Sequence, residues 1–115
     1  MIQPYELKKS EPLQWSAGRG AELWEMFCAC IAGDLPTVER LVNNDPSIVR
    51  GHYAYRTPLY FAVRENQIDV VAYMLPRGAD PLSLAVNDSL LEICRDRGYS
   101  ELASLLEAEF AATQG

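Results

Sequence analysis

The stretch Thr57-Pro58-Leu59-Tyr60-Phe61-Ala62 decides how this chain folds. Its opening pair reads as a helix start. A threonine hydroxyl can accept a hydrogen bond from a backbone N–H in the first turn, and proline suits the first helical position, where its missing N–H costs nothing. Leu59 and Ala62 lie three apart and share one helix face, with Ala62 small enough to let another helix approach closely. Downstream, Asn66 tolerates the left-handed backbone that ends a short helix. Asp69 then places negative charge at the N-terminal dipole of a second helix. That helix carries Ile68, Val70, Val71, Tyr73, Met74 and Leu75, and Pro76 and Gly78 stop it.

The same residue classes recur on both sides. The middle unit is marked by Leu59, Ala62, Asn66, Asp69, Val71 and Met74. A step back of 33 gives Met26, Ala29, Gly33, Pro36, Val38 and Leu41, and a step forward of 32 gives Leu91, Cys94, Gly98, Glu101, Ala103 and Leu106. Near-constant spacing of this kind marks a repeat array whose neighbours bury one another's cores. Helices are expected at about 21–32, 35–43, 58–65, 68–76, 90–97 and 100–111. Asp34 is expected to cap the second helix of the first unit, and Ser89-Leu90-Leu91-Glu92 reads as a capping box. The second helix of the middle unit is apolar nearly all round, so it should be covered on both sides. At the two ends, Leu35, Val38, Leu41 and Val42 face away from Glu39, Arg40 and Asn43, and Leu102, Leu105, Leu106 and Phe110 face away from Glu101, Ser104 and Glu107. One-sided terminal helices are what capping units require, and they predict a complete three-unit stack.

Thr57-Pro58-Leu59 with Ala62 in this register resembles the ankyrin repeat, whose signature is T-P-L-H-x-A in a period of about 33 residues. The resemblance implies an all-α solenoid of three stacked helix-turn-helix units with projecting inter-repeat turns. On this reading residues 1–20 are an irregular N-terminal arm, the units are about 21–51, 52–84 and 85–112, and 113–115 is a tail. The chain departs from the family pattern in places. Tyr60 replaces the histidine that normally hydrogen-bonds between units, Asn66 stands where glycine is usual, Ser89-Leu90 replaces Thr-Pro, and the first unit has no Thr-Pro. In the arm, Tyr5, Leu13 and Trp15 are the apolar anchors expected to pack on the first unit. Ile48 and Val49, after Asn43-Asn44-Asp45-Pro46-Ser47, are expected to tuck back as a satellite core.

In such stacks the turns and the concave face of first helices usually take the partner. Carried onto this chain, the resemblance implies a protein-binding adaptor or inhibitor. Its candidate contact residues are Tyr53, Tyr55 and Arg56 before the middle unit, Arg64 and Glu65 at the end of its first helix, and Asp88, Asp96 and Arg97 in the third. His52 falls in the same projecting turn. Tyr and Arg are enriched at interaction hot spots, although any one tyrosine could equally pack beneath its turn. One rival reading is a structural or self-association module using Trp24, Phe27 and the arm. Another is an accessory segment of a larger enzyme.

Composition narrows the classes further. With Lys plus Arg 10 and Asp plus Glu 16, net charge is −6, which argues against a nucleic-acid binder driven by phosphate contacts. Cys28 and Cys30 lie two apart and diverge on a helix, and His52 is the single histidine; no metal or cofactor is expected. The three free thiols, expected to be buried, suit a reducing compartment. Met1–Ser10 lacks the apolar core of a signal peptide, and no apolar run nears the ~20 residues of a membrane span. The expectation is a cytoplasmic monomer that touches no membrane and is not an enzyme, since no nucleophile has a base within reach.

Overall fold

The computed structural model describes residues 2–13, 16–54, 56–79, 84–85 and 88–114, with backbone alone for 84, 85, 88, 89 and 110–114. Six α-helices form three consecutive pairs among these residues: α1 (Gly20–Ala32) with α2 (Leu35–Asn44), α3 (Pro58–Arg64) with α4 (Ile68–Met74), and α5 (Leu90–Arg97) with α6 (Ser100–Gln114). The first helices pack in a row, α1 on α3 and α3 on α5, and the second helices stack behind them, α2 on α4 and α4 on α6. This is the three-unit, mostly helical solenoid expected from the register.

The local chemistry follows the sequence closely. Thr57 Oγ1 accepts the Tyr60 N–H at 3.2 Å, and Asp34 Oδ1 accepts that of Thr37 at 3.3 Å. The first helices of the three units end at left-handed residues: Gly33 at φ 74°, Asn66 at 56° and Gly98 at 74°. A Cβ at Gly33 would lie 2.4 Å from Gln67 Oε1, so a substitution there would also have to displace the Gln67 side chain. Pro76 cannot continue the α-helical ladder, so α4 tightens into a 3-10 turn, Leu75–Arg77, ending at left-handed Gly78. The capping box at Ser89 involves a side chain outside the described residues.

A hydrogen bond repeated at the repeat pitch ties the units together. Gln67, just after left-handed Asn66, donates Nε2–H to the Ile31 carbonyl of the first unit at 2.9 Å. Tyr99, just after left-handed Gly98, donates its hydroxyl to the Arg64 carbonyl of the middle unit at 3.1 Å. Each satisfies a carbonyl in the last turn of the preceding unit's first helix, a group that the helix itself leaves without a partner. Asp34 holds the same place in the first unit, where no earlier unit offers a carbonyl, and it caps its own helix instead. Between units the chain pairs with itself across the turns at one edge. Tyr53 and Arg56 exchange backbone hydrogen bonds at 3.0 Å each. At the next turn β1 (Leu84–Ala85) pairs antiparallel with β2 (Asp88–Ser89), so Asp88 holds the place that Arg56 holds one unit earlier.

One core runs through all three units and includes Leu23, Met26, Val38, Leu59, Ala62, Val71, Met74, Cys94, Leu102 and Leu106, each nearly or fully buried. Ile48 and Val49, in a 3-10 turn (Pro46–Arg50), belong to this core rather than to a satellite. Glu39, Arg40 and Asn43 on α2 and Glu101, Ser104 and Glu107 on α6 are exposed, as terminal helices require. Phe110 has its side chain outside the described residues.

The arm departs from expectation. Tyr5 is 69% exposed while Leu7, two residues on, is 1% exposed and joins the core. A 3-10 turn over Tyr5–Leu7 rotates the two side chains apart. Leu13 is partly buried against the core, and Trp15 lies outside the described residues. The cysteines also divide: Cys30 and Cys94 are buried, but Cys28 is exposed, because two residues of helix turn it to the opposite face of α1.

Candidate functional site

The candidate residues sit at the turn edge and along the first-helix row. Ala54, between the paired Tyr53 and Arg56, takes φ 52°, a region that residues bearing a Cβ rarely adopt. Tyr55 lies outside the described residues. Tyr53 is half-buried and packs on the core. Its hydroxyl donates to Glu6 Oε2 of the arm at 3.3 Å. Desolvation, then the Glu6 charge and that hydrogen bond, raise the Tyr53 pKa above its ordinary value. Tyr53 therefore turns toward the arm, and His52 precedes the turn, with its backbone N–H donated to Ser16 Oγ at 2.8 Å.

Arg56 and Arg64 converge instead on Tyr60, and Arg97 joins them through Arg64. The Arg56 and Arg64 guanidinium carbons each lie 5.7 Å from the Tyr60 ring centroid, and Arg64 lies 5.0 Å from that of Phe61. These are cation–π distances. Arg64 Nε also pairs with Glu65 Oε1 at 3.0 Å. Arg97 reaches back from the third unit to donate Nη1–H to the Arg64 carbonyl at 3.1 Å, the carbonyl that Tyr99 also engages. Hydrogen bonding with Tyr99 raises the Arg97 pKa, and the proximity of Glu65 and Tyr60 adds to the shift. Asp96 is exposed on α5, and the Asp88 side chain is outside the described residues.

The structure thus brings Arg56, Arg64, Glu65 and Arg97 together and sets Tyr53 apart from them. Sequence reasoning missed Tyr60 and Tyr99 as members of the cluster. Tyr60 stood out only as a substitute for histidine, yet that departure was the available signal, since a large aromatic face gives arginines a surface to stack on.

Beside this cluster lies an apolar groove of about 160 Å³. Pro4 of the arm, Trp24 and Phe27 of α1, Tyr53 and Arg56 of the turn and Phe61 of α3 form its walls, with Leu7 among the lining residues. The Phe27 and Phe61 rings pack at 4.8 Å, and Phe61 meets Tyr60 edge-on at 5.1 Å. An aromatic row therefore leads from the groove to the arginines.

The thiols are poor candidates for chemistry. Burial pushes the Cys30 pKa up to about 12 and raises that of Cys94, and a buried protonated thiol is inert. A maleimide at pH 8 is expected to label Cys28 alone in the folded protein and all three thiols after denaturation, read by mass spectrometry. The sign for stability follows from the raised folded pKa. The Cys30 contribution is whole below the ordinary thiol value of 9.0 and is lost as pH rises from there toward 12. The slope is about 1.4 kcal/mol per pH unit, and Cys30→Ala should remove it from an alkaline denaturation series.

Among the described residues no group of three or more His, Cys, Asp and Glu could hold a metal ion, and no helix is long and apolar enough to cross a membrane.

With this geometry in place, comparison with known proteins agrees on the class. The profile for ankyrin repeats, in three copies, matches residues 24–85. The chain belongs to the ankyrin-repeat family, whose stacked units are protein-interaction modules. It is also similar to the Arabidopsis thaliana protein "Putative E3 ubiquitin-protein ligase XBAT34", 31% identical over 97 residues. The alignment covers 78% of this chain and spans 25% of the length of that relative.

Proposed function

We propose that this chain is an adaptor or inhibitor module that takes a protein partner across the turn at residues 53–56 and the first-helix face of its middle and third units, without chemistry of its own. The observation that carries the reading is the cluster in which Arg56 and Arg64 lie over Tyr60 and Arg97 is held by the Arg64 carbonyl. Guanidinium groups held against an aromatic ring are pre-organised, so a partner that meets them loses less side-chain entropy on binding. Arg and Tyr are also the residue types that dominate binding energy at interfaces.

The test is capture of the partner from the native host, followed by affinity measurement with Arg56→Ala/Arg97→Ala. Both side chains are exposed, so the melting temperature should hold while affinity falls by about tenfold or more. Glu39→Ala on the back of α2 serves as the control. Equal affinity for the double variant would move the site off this face. Tyr53→Ala is the poorer probe, because Tyr53 packs on the core and contacts the arm.

A second reading draws on the relative named as an E3 ubiquitin-protein ligase, of which this chain spans a quarter: the module would recruit a protein to a larger enzyme, using the same face. Self-association through Trp24 and Phe27 has less support. Phe27 is 2% exposed and stacked on Phe61, leaving little of that face for a second copy. Sedimentation that stays monomeric over a wide concentration range would remove it.

A further inference from the structure

We infer that the partner segment is an acidic peptide with one large apolar side chain, which enters the groove beside Arg56 while flanking carboxylates meet Arg56 and Arg97. The inference rests on the binding reading above and gives it a ligand chemistry.

The groove sets the apolar half. Its volume of about 160 Å³ matches the roughly 150 Å³ of a cavity that accepts a benzene-sized group. Arg56 is the charged residue among those lining it. A polar side chain placed there would exchange water for hydrocarbon and lose its hydrogen bonds; a large aliphatic or aromatic one would gain.

The arginines set the acidic half. Of the five other exposed arginines, three are paired: Arg19 with Glu22, Arg40 with Glu25 and Arg95 with Glu107; Arg77 lies over the Tyr73 ring instead, and Arg50 has no ion pair among the described residues. Arg56 and Arg97 have no carboxylate partner among the described residues. Arg56 is held by stacking on Tyr60 and Arg97 by the Arg64 carbonyl and hydrogen bonding with Tyr99, with Glu65 nearby; a guanidinium has five N–H donors, so these contacts leave donors of each fork open. Carboxylates fill such a fork with paired, charge-assisted hydrogen bonds. Glu65 already occupies one edge of Arg64, so Arg56 and Arg97 are the carboxylate positions. The net charge of −6 opposes an acidic ligand at long range. Screening confines that opposition to about 8–10 Å at ordinary salt, a range in which Glu65 is paired with Arg64 and Glu6 accepts from the Tyr53 hydroxyl.

The experiment is an NMR titration of the whole chain, observing backbone amides and arginine Nε–H signals. The first probe peptide has one leucine followed by a run of glutamates. A second replaces the glutamates with lysines, and a third replaces the leucine with glycine. The leucine–glutamate peptide should shift the Arg56 and Arg97 Nε–H signals and the Ala54 and Phe61 amides. It should bind about tenfold or more tighter than either other probe, a difference consistent with one lost anchor at an interface. Arg56→Gln/Arg97→Gln should abolish that preference, as should high salt. Equal or tighter binding of the lysine peptide overturns the inference, and so does a leucine–glutamate peptide that leaves these signals unmoved. If the captured native partner still depends on Arg56 and Arg97 in either of those cases, the binding face stands and only the acidic chemistry falls. If the native partner is indifferent to them, both readings fall together.

Discussion

Ala62→Arg is expected to unfold the entire domain. Ala62 is fully buried on α3, the helix that packs against α1 on one side and α5 on the other. Its counterparts in the neighbouring units are Ala29 and Cys94, both small and both buried, so the position is where first helices come closest. Arginine there adds volume to a packed contact, typically 1–3 kcal/mol or more of strain, and places a charge where no described carboxylate is buried to meet it. An unpaired buried charge costs several kcal/mol after relaxation. A small domain has about 5–15 kcal/mol in all, so the two costs together are enough to exceed it. Because the middle unit supplies both inner faces, the end units should not survive alone, and loss should be a single cooperative event. Circular dichroism and amide dispersion at 25 °C would report it. A folded, monodisperse Ala62→Arg protein would mean that the repeat register is wrong. Ala62→Ser, which adds one atom, should remain folded.

That register was legible because it is periodic. Leu59, Ala62 and Asn66 have class-matched partners one step away in each direction, and the structure puts all three sets in matching places. What repeats in position but not in chemistry was harder to see. Gln67 and Tyr99 make the same cross-unit hydrogen bond, yet one is an amide and the other a phenol, so comparison by residue class passes over them. The arm was less legible still, since it has no period. Tyr5 and Leu7 are both reasonable anchors by composition, and only the turn between them decides which is inside. Part of the candidate face was readable, since Arg56, Arg64, Glu65 and Arg97 do meet. The ring under Arg56 and Arg64, Tyr60, looked like a defect in a signature. The groove could not be read at all, because it exists only where arm, turn and two helices come together from distant parts of the chain.

Leu7→Ala should destabilise the domain by about 2–5 kcal/mol, the usual range for cutting a buried leucine back to alanine. The figure treats the arm as part of the fold, and several contacts argue that it is. The open face of a first unit needs covering, and here Leu7 fills it at 1% exposure. Backbone hydrogen bonds fix the arm to the start of α1: Gly20 N–H to the Glu11 carbonyl at 3.0 Å and Ala21 N–H to the Lys9 carbonyl at 2.9 Å. The arm comes so close that a Cβ on Gly20 would lie 2.5 Å from the Glu6 carbonyl oxygen. Ser10 Oγ adds a 2.6 Å hydrogen bond to Glu22. In urea denaturation the Leu7→Ala midpoint should fall with little change in slope, because the same surface is still exposed in one transition. An arm that merely rests on the first unit, free to leave it for a partner, predicts the opposite. Leu7→Ala would then leave the midpoint where it was, and the m-value of the parent protein would match a chain already lacking its first thirteen residues. The two outcomes differ by several kcal/mol, well beyond the error of the extrapolation, so one titration separates an arm that caps the stack from one that only lies against it.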